Sequence, residues 1–159
     1  MNKSGIFPDF TNRKVLINIK SLGKHEKQGA INALHKIGNS LKRTAKRGIY
    51  SKKDKTGRVY LVRLGGRIKR HQASAGGQYP ANLTGTLAKS VGFEKANTGM
   101  QLEFGAGNKE TGEAIYAKYL EEGTSKMSPR PFLTKAVKSN LGQMELYLQQ
   151  EIGKQLKKL

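Results

Sequence analysis

The sequence predicts a fold of the α+β class, in which two long helices accompany several short strands. Apolar residues recur every three or four positions near residues 24–48 and 131–153, as they do on one face of an α-helix. Shorter runs alternate or are rich in β-branched residues and are separated by Gly-containing turns, which is typical of strands. With 159 residues, of which 36% are hydrophobic, we expect one domain with a modest core over residues 1–159.

The first strand and the first helix follow from local patterns. Residues 13–20 (RKVLINIK) alternate and contain β-branched side chains, which predicts a strand. On the helix at residues 24–48, Lys36, Arg43 and Arg47 fall opposite the apolar stripe at about 100° per residue. Either a solvated helix face or a surface for an anionic partner explains these cations. The apolar stripe comprises Ala30, Leu34, Ile37, Leu41 and Ala45.

The middle of the chain is predicted to contain strands separated by a long loop. Residues 58–64 (RVYLVRL) predict a strand, whereas residues 65–86 (GGRIKRHQASAGGQYPANLTGT) lack periodicity and predict a mobile loop. Thr84 is the expected cap of a short helical turn that follows. Residues 90–95 and 100–105 predict two paired strands joined by the turn between them.

A segment with two prolines and a Gly-Thr pair precedes the last helix. Residues 113–123 (EAIYAKYLEEG) predict a short helix that ends at Gly123 in the left-handed conformation. Pro129 and Pro131 fix their own φ angles, and a residue before a proline avoids helical geometry. The last helix is therefore predicted to begin at Pro131, where a missing N–H costs nothing. Its predicted buried stripe comprises Leu133, Val137, Leu141, Met144, Leu148 and Ile152.

The charge of the chain is extreme and unevenly distributed. The 30 Lys and Arg residues exceed 11 Asp and Glu, for a formal net charge of +19, and residues 42–70 hold twelve basic residues against one acid. Residues 93–122 hold six Glu and three Lys. This polarity suits a phosphate-rich partner, bound in a salt-dependent way, and equally suits head-to-tail contact between identical copies. The candidate DNA-facing cations are Lys36, Arg43, Arg47, Arg63, Arg67, Lys69 and Arg70.

The sequence holds no constellation that predicts catalysis or metal binding. There is no cysteine, and His25, His35 and His71 stand apart from other possible ligands. Glu121 and Glu122 are adjacent, so they do not face each other on a helix, and we expect a solvated pair. No phosphate-binding loop occurs, and no apolar run approaches the ~20 residues of a membrane-spanning helix. We expect no catalytic residue, cofactor, metal ion or membrane contact.

Two blocks of the chain carry a resemblance to a known family. Residues 116–137 (YAKYLEEGTSKMSPRPFLTKAV) contain Tyr-Ala-x-Tyr-x-Glu-x-Gly-Thr followed by Pro-Phe-Leu. Residues 57–91 contain His-x-Ala-Ser, then Gly-x-x-Pro-Ala, then Thr-Gly-x-Leu-x-x-Ser. In this order the two blocks resemble the tail-completion or neck (head–tail joining) proteins of long-tailed double-stranded DNA bacteriophages.

That resemblance implies a small, mostly antiparallel sheet packed against the two long helices. It also implies a structural virion protein that forms a ring of copies, usually six, around the channel through which the genome leaves. Its partners would be its own copies, the head connector or adaptor, the tail tube or terminator, and the genomic double-stranded DNA. The protein would be located in the neck or tail of the virion, and in the host cytoplasm during assembly. Residues 65–86 would become ordered against neighbouring subunits on assembly.

The resemblance also suggests which residues lie at subunit interfaces. A different function remains open on composition alone, namely a sequence-nonspecific nucleic-acid-binding protein that acts as a monomer or dimer. With only Tyr50 and Tyr60 as aromatic residues in the basic region, such a protein would contact backbone charge rather than stack on bases. The interface candidates are Tyr79, Pro80, Thr84, Gly85, Glu121, Gly123, Thr124, Pro129, Pro131 and Phe132.

Overall fold

Helices and antiparallel strands combine in an α+β fold, which confirms the predicted class. The computed structural model describes residues 13–18, 24–95, 101–107 and 116–158. In chain order the elements are β1 (Arg13–Asn18), α1 (Lys24–Tyr50), β2 (Val59–Leu64), β3 (Arg67–Gln72), α2 (Thr86–Ser90), β4 (Gly92–Lys95), β5 (Gln101–Ala106), α3 (Ala117–Glu122) and α4 (Leu133–Leu156).

Three strands form one antiparallel sheet in the order β1–β5–β4. The predicted pairing of β4 with β5 is confirmed, since Phe93 lies opposite Phe104. The predicted turn at residues 96–99 lies outside the described residues, as do the last two residues of the strand predicted at 13–20. Side chains alternate across β5, and Leu102 and Phe104 are fully buried on the face that carries the core.

The two long helices, α1 and α4, pack against each other in antiparallel directions. Lys36 on α1 bonds to Glu151 on α4, and Ser40 bonds to Asn140, so one helix ascends as the other descends. α1 also packs against β4 and β5. The predicted apolar stripe of α1 is confirmed, because all its members are fully buried: Ala30, Leu34, Ile37, Leu41 and Ala45.

Two predictions about α4 are wrong. The helix begins at Leu133 with Phe132 as its N-cap, so Pro131 lies before the helix rather than in its first turn. Leu141, predicted to be buried, is 58% exposed, whereas its neighbour Asn140 is only 6% exposed. At this point the buried side of α4 therefore holds Asn140, and Leu141, which apolar periodicity assigns to that side, faces solvent.

Asn140 can be buried between the long helices because its amide is well satisfied. Its Oδ1 accepts a hydrogen bond from Ser40 Oγ at 2.7 Å. Its Nδ2 donates to Thr44 Oγ1 at 3.0 Å and to Ala136 O at 2.7 Å. A shift of one helix along the other would leave these polar atoms unpaired, at a cost of about 1–3 kcal/mol for each buried group. The amide therefore favours one register of α1 against α4.

Residues 65–86, predicted as a loop, include the strand β3. This strand pairs with β2 in an antiparallel hairpin, with Leu64 opposite Arg67. Gly65 and Gly66 form the two-residue turn, and both have positive φ angles, 56° and 77°, as a type I′ turn requires. Apolar alternation does not reveal β3, because its sequence, RIKRHQ, is mostly charged and mostly exposed.

The two short helices differ from the predictions at their ends. Gly85, with a φ of 88°, is the N-cap of α2, where Thr84 was expected. Gly123 follows α3 with a positive φ of 81°, but its ψ of −177° lies outside the left-handed helical region. Its N–H still donates to Tyr119 O at 2.8 Å. The predicted start of this helix at residues 113–115 lies outside the described residues.

Candidate assembly and nucleic-acid surfaces

Residues 123–132, the proline segment, connect α3 to α4 through a tight turn. Thr124 and Met127 form an isolated antiparallel bridge, with N–O distances of 2.8 and 3.2 Å. A Cβ atom added at Gly123 would lie 2.8 Å from Met127 O and 2.9 Å from Pro129 N. The positive φ and this close approach of the backbone both require glycine at the first position of the segment.

Glu121 binds the first turn of α4 from outside that helix. Its Oε2 accepts the N–H groups of Phe132 and Leu133 at 2.8 and 3.0 Å, and its Oε1 accepts that of Thr134 at 2.9 Å. These N–H groups have no partner within the helix, and the positive end of the helix dipole favours a carboxylate. The predicted solvated pair is therefore wrong for Glu121, which is 6% exposed, while Glu122 is exposed.

The proline segment is also bonded to the base of the β2–β3 hairpin. Pro129 O accepts the N–H of Gly77 at 2.7 Å, and the Nε of Arg130 donates to Ser74 O at 3.0 Å. The N–H of Arg130 donates to Leu120 O at 2.6 Å, which ties the segment back to α3. The proline segment thus fixes three elements relative to one another: α3, α4 and the chain that leaves the hairpin.

Lys55 ties the other side of the hairpin base to the end of α1. Its Nζ donates to Gly48 O at 3.2 Å and to Tyr79 O at 2.7 Å. Burial lowers the pKa of Lys55, with Asp54 opposing and Lys135 adding to this effect. The two ammonium groups lie 5.9 and 5.3 Å from the centroid of the Tyr79 ring, which is within cation–π range. Tyr79 is thus packed within a single copy of the chain.

One side of α1 carries a row of four cations, which we name the cationic face: Lys36, Lys42, Arg43 and Lys46. Partial burial, and then repulsion from Lys42, lower the pKa of Lys46. Lys36 is paired with the carboxylate of Glu151 at 2.8 Å. The repulsion between Lys42 and Lys46 would decrease if an anion bound between them. The surface groove along the face has a volume of about 570 Å³ and is lined by Lys36, Asn39, Lys42, Arg43, Lys46 and Tyr147.

The predicted DNA-facing cations lie on two surfaces rather than one. Those of the helix, Lys36, Arg43 and Arg47, are exposed on or beside the cationic face. Sequence reasoning missed Lys42 and Lys46, although their four-residue spacing places them on one side of a helix. The remaining candidates are all exposed on the two hairpin strands, Arg63 and Arg70 on one face of the hairpin and Arg67 and Lys69 on the other.

The predicted interface residues differ in how far a neighbouring copy could reach them. Four of them are buried within one copy: Pro80, Gly85, Glu121 and Phe132. Three are exposed, namely Thr84, Thr124 and Pro129, and three are half-buried, namely Tyr79, Gly123 and Pro131. The buried members stabilise the fold of the single chain, and contact with another copy stays a prediction for the accessible ones.

Neither a metal-binding cluster nor a membrane-spanning helix occurs in the part of the chain that the structure describes. Within the described ranges, no group of three or more His, Cys, Asp and Glu side chains could hold a metal ion. In that part of the chain, no helix combines the length and the apolarity that crossing a bilayer demands. No family model, curated protein or solved structure was found to match the chain.

Proposed function

We propose that this chain is a structural virion protein that forms a ring at the neck of a long-tailed double-stranded DNA bacteriophage. In this role it completes the tail or joins it to the head connector, around the channel for DNA. The proposal starts from the two sequence blocks that resemble neck proteins, residues 57–91 and 116–137. It is a proposal for a binding and assembly function, without a chemical reaction.

The observation that carries the proposal is that the two blocks form one hydrogen-bonded unit. Pro129 and Arg130, in the second block, bond to the backbone of Gly77 and Ser74, in the first. Glu121 adds three hydrogen bonds that hold the start of α4 against the same unit. A unit that holds its helices and hairpin at fixed angles suits a subunit that must repeat one contact around a closed ring.

The cations support the DNA channel part of the proposal. Lys36 and Arg43 on the cationic face, and Arg67 and Lys69 on the hairpin, have long, exposed side chains, so they suit loose contact with phosphate groups. Loose contact fits a channel, because tightly bound DNA would leave it slowly. Partial pairing of Lys36 with Glu151 weakens one such contact further.

Electron microscopy of particles made without this protein tests the proposal. We expect tailless heads beside free tails, and mass spectrometry of purified wild-type particles should detect the chain. Normal virions in the absence of the protein, or its absence from infectious particles, would overturn the proposal.

The groove along the cationic face favours one alternative, a sequence-nonspecific nucleic-acid-binding protein that acts alone. Such a protein would bind duplex DNA with an affinity that falls steeply with salt, and would not be found in particles. The same mass spectrometry therefore separates the two functions. Salt-dependent DNA binding by itself is consistent with both of them.

A further inference from the structure

The β2–β3 hairpin exposes an apolar patch on the face turned away from the rest of the chain. Leu61 is 74% exposed and Ile68 is 64% exposed. The register places Leu61 opposite Arg70 and Arg63 opposite Ile68, so these four side chains share one face of the ribbon. Val59, on the same face, is 42% exposed. We name this surface the hairpin face: Val59, Leu61, Arg63, Ile68 and Arg70.

The hairpin lacks the sheet neighbours that would normally stabilise it. Among the described residues, β2 and β3 pair with each other and with no other strand. A two-stranded ribbon in water is marginally stable without packing on at least one face. Exposed apolar side chains on such a ribbon indicate a surface that is covered in the assembled state.

The chemistry of the hairpin face favours a protein partner over a nucleic acid. Its most exposed side chains, Leu61 and Ile68, form an apolar centre, and Arg63 and Arg70 flank that centre. An apolar centre beside arginines is the usual composition of a protein–protein contact. Phosphate groups would gain contact with the arginines but would leave the apolar centre uncovered.

A complementary surface exists on the same chain, along α3. Tyr119 is 57% exposed and Tyr116 is 41% exposed. With the exposed Glu122 they are spaced three residues apart, so they lie along one side of the helix. Tyrosine rings offer apolar area and bind guanidinium groups, and a carboxylate binds arginine in a bidentate manner. We name this surface the α3 face: Tyr116, Tyr119 and Glu122.

We propose that the hairpin face of one copy docks on the α3 face of a second copy of this chain. Leu61, Ile68 and Tyr119 are all more than half exposed in a single copy, so the two faces do not cover each other within it. The faces are different, and a contact between different faces is head-to-tail, which closes into a ring if the rotation permits. This inference rests on the proposed function, since it names the contact that the ring would use.

Sedimentation velocity of the purified full-length chain over a range of concentrations tests the contact. The variant Leu61→Ser/Ile68→Ser should associate at least about tenfold more weakly than the wild type, because it removes the apolar centre. Tyr119→Ser/Glu122→Arg should be equally impaired. The control Leu141→Ser, which changes an exposed leucine on α4, should associate like the wild type. Circular dichroism should be unchanged in all three variants.

Mixing the two impaired variants gives the decisive result. Each variant keeps the face that the other lacks, so an equimolar mixture should form dimers that cannot grow further. A mixture that stays monomeric, a hairpin variant that assembles like the wild type, or a wild type that is monomeric at millimolar concentration would overturn the inference. A hairpin variant that loses DNA binding but self-associates like the wild type would also overturn the inference.

These outcomes are separable from failure of the proposed function. A chain that assembles through another surface, yet is present in infectious particles, contradicts the docking contact and leaves the neck assignment intact. A chain that is absent from particles contradicts the neck assignment, whatever its behaviour in solution.

Discussion

The Oε2 atom of Glu121 lies 2.8 Å from the backbone nitrogen of Phe132, so the last turn of α3 supplies the acceptor for the first turn of α4. The two residues are separated by 11 positions and by the whole proline segment. The prolines restrict the path of the chain, and the carboxylate holds both its ends together. A stiff turn is useful at this place because it brings the first turn of α4, whose N–H groups have no partner within the helix, to the buried carboxylate of Glu121.

Replacing Glu121 by Ala is predicted to destabilise the fold strongly. The change leaves three backbone N–H groups without their acceptor, and we expect a loss of about 2 kcal/mol or more in the free energy of unfolding. Urea denaturation monitored by circular dichroism measures it. The neighbouring change Glu122→Ala is the control, with an expected effect within about 0.5 kcal/mol because that side chain is exposed. Equal effects of the two changes would refute the capping role.

Two glycines in the long helices are predicted to respond to alanine in opposite ways. A Cβ at Gly29 would lie 2.7 Å from Cα of Ile152, so Gly29→Ala must push α1 and α4 apart, at a cost of about 1–3 kcal/mol. Gly142 has no atom within 4 Å of an added Cβ, so Gly142→Ala should stabilise its helix by about 0.5–1 kcal/mol. Thermal denaturation of both variants checks the signs, and a stabilising Gly29→Ala would contradict the close helix contact.

The carboxylate of Glu151 is predicted to contribute stability that depends on pH. Hydrogen bonds from Lys154 and Lys36, both 2.8 Å long, hold the pKa of Glu151 below its ordinary value of 4.5. A folded-state pKa below the unfolded one means that this stability is present above about pH 4.5 and is lost as the pH falls through the folded-state pKa. The difference in unfolding free energy between wild type and Glu151→Gln should therefore shrink in acid.

A second variant checks the cause of this pH dependence. Lys36→Met/Lys154→Met keeps the acid but removes both donors, so it should lose the same pH-dependent part of the stability. If this double variant retained the full dependence between pH 7 and pH 3, another group would be responsible.

Removing cations from the two basic surfaces is predicted to weaken DNA contact more than folding. Arg43→Gln/Arg47→Gln on α1 and Arg67→Gln/Lys69→Gln, on the side of the hairpin opposite the hairpin face, should each lower affinity for duplex DNA and reduce the salt slope by about one unit per lost phosphate contact. Lys118→Gln/Lys126→Gln removes the same charge from exposed positions elsewhere and serves as the control. In particles, both of these variants should impair DNA retention or ejection, and unaltered infectivity and DNA content would argue against a role in the channel.

Much of the fold could be predicted from the sequence because its signals are local. The apolar stripe of α1 repeats within each pair of helical turns, and β4 and β5 are close in the chain, so both predictions are confirmed. The same local patterns do not predict which acidic residue binds the start of α4. Helical spacing alone does not separate Glu121 from Glu122, yet Glu121 is buried against a helix terminus and Glu122 is exposed.

By itself, the sequence determined the α+β class and the two long helices, because these depend on residues a few positions apart, and it determined the positive charge through composition. Only the tertiary structure decided that Asn140 faces α1, that Glu121 caps α4 and that β3 completes a hairpin. Asn140 and its partner Ser40 are 100 residues apart, and whether a polar group can be buried depends on the partners that packing brings to it. Local periodicity cannot supply that information, since it classes every Asn and Glu as a surface residue.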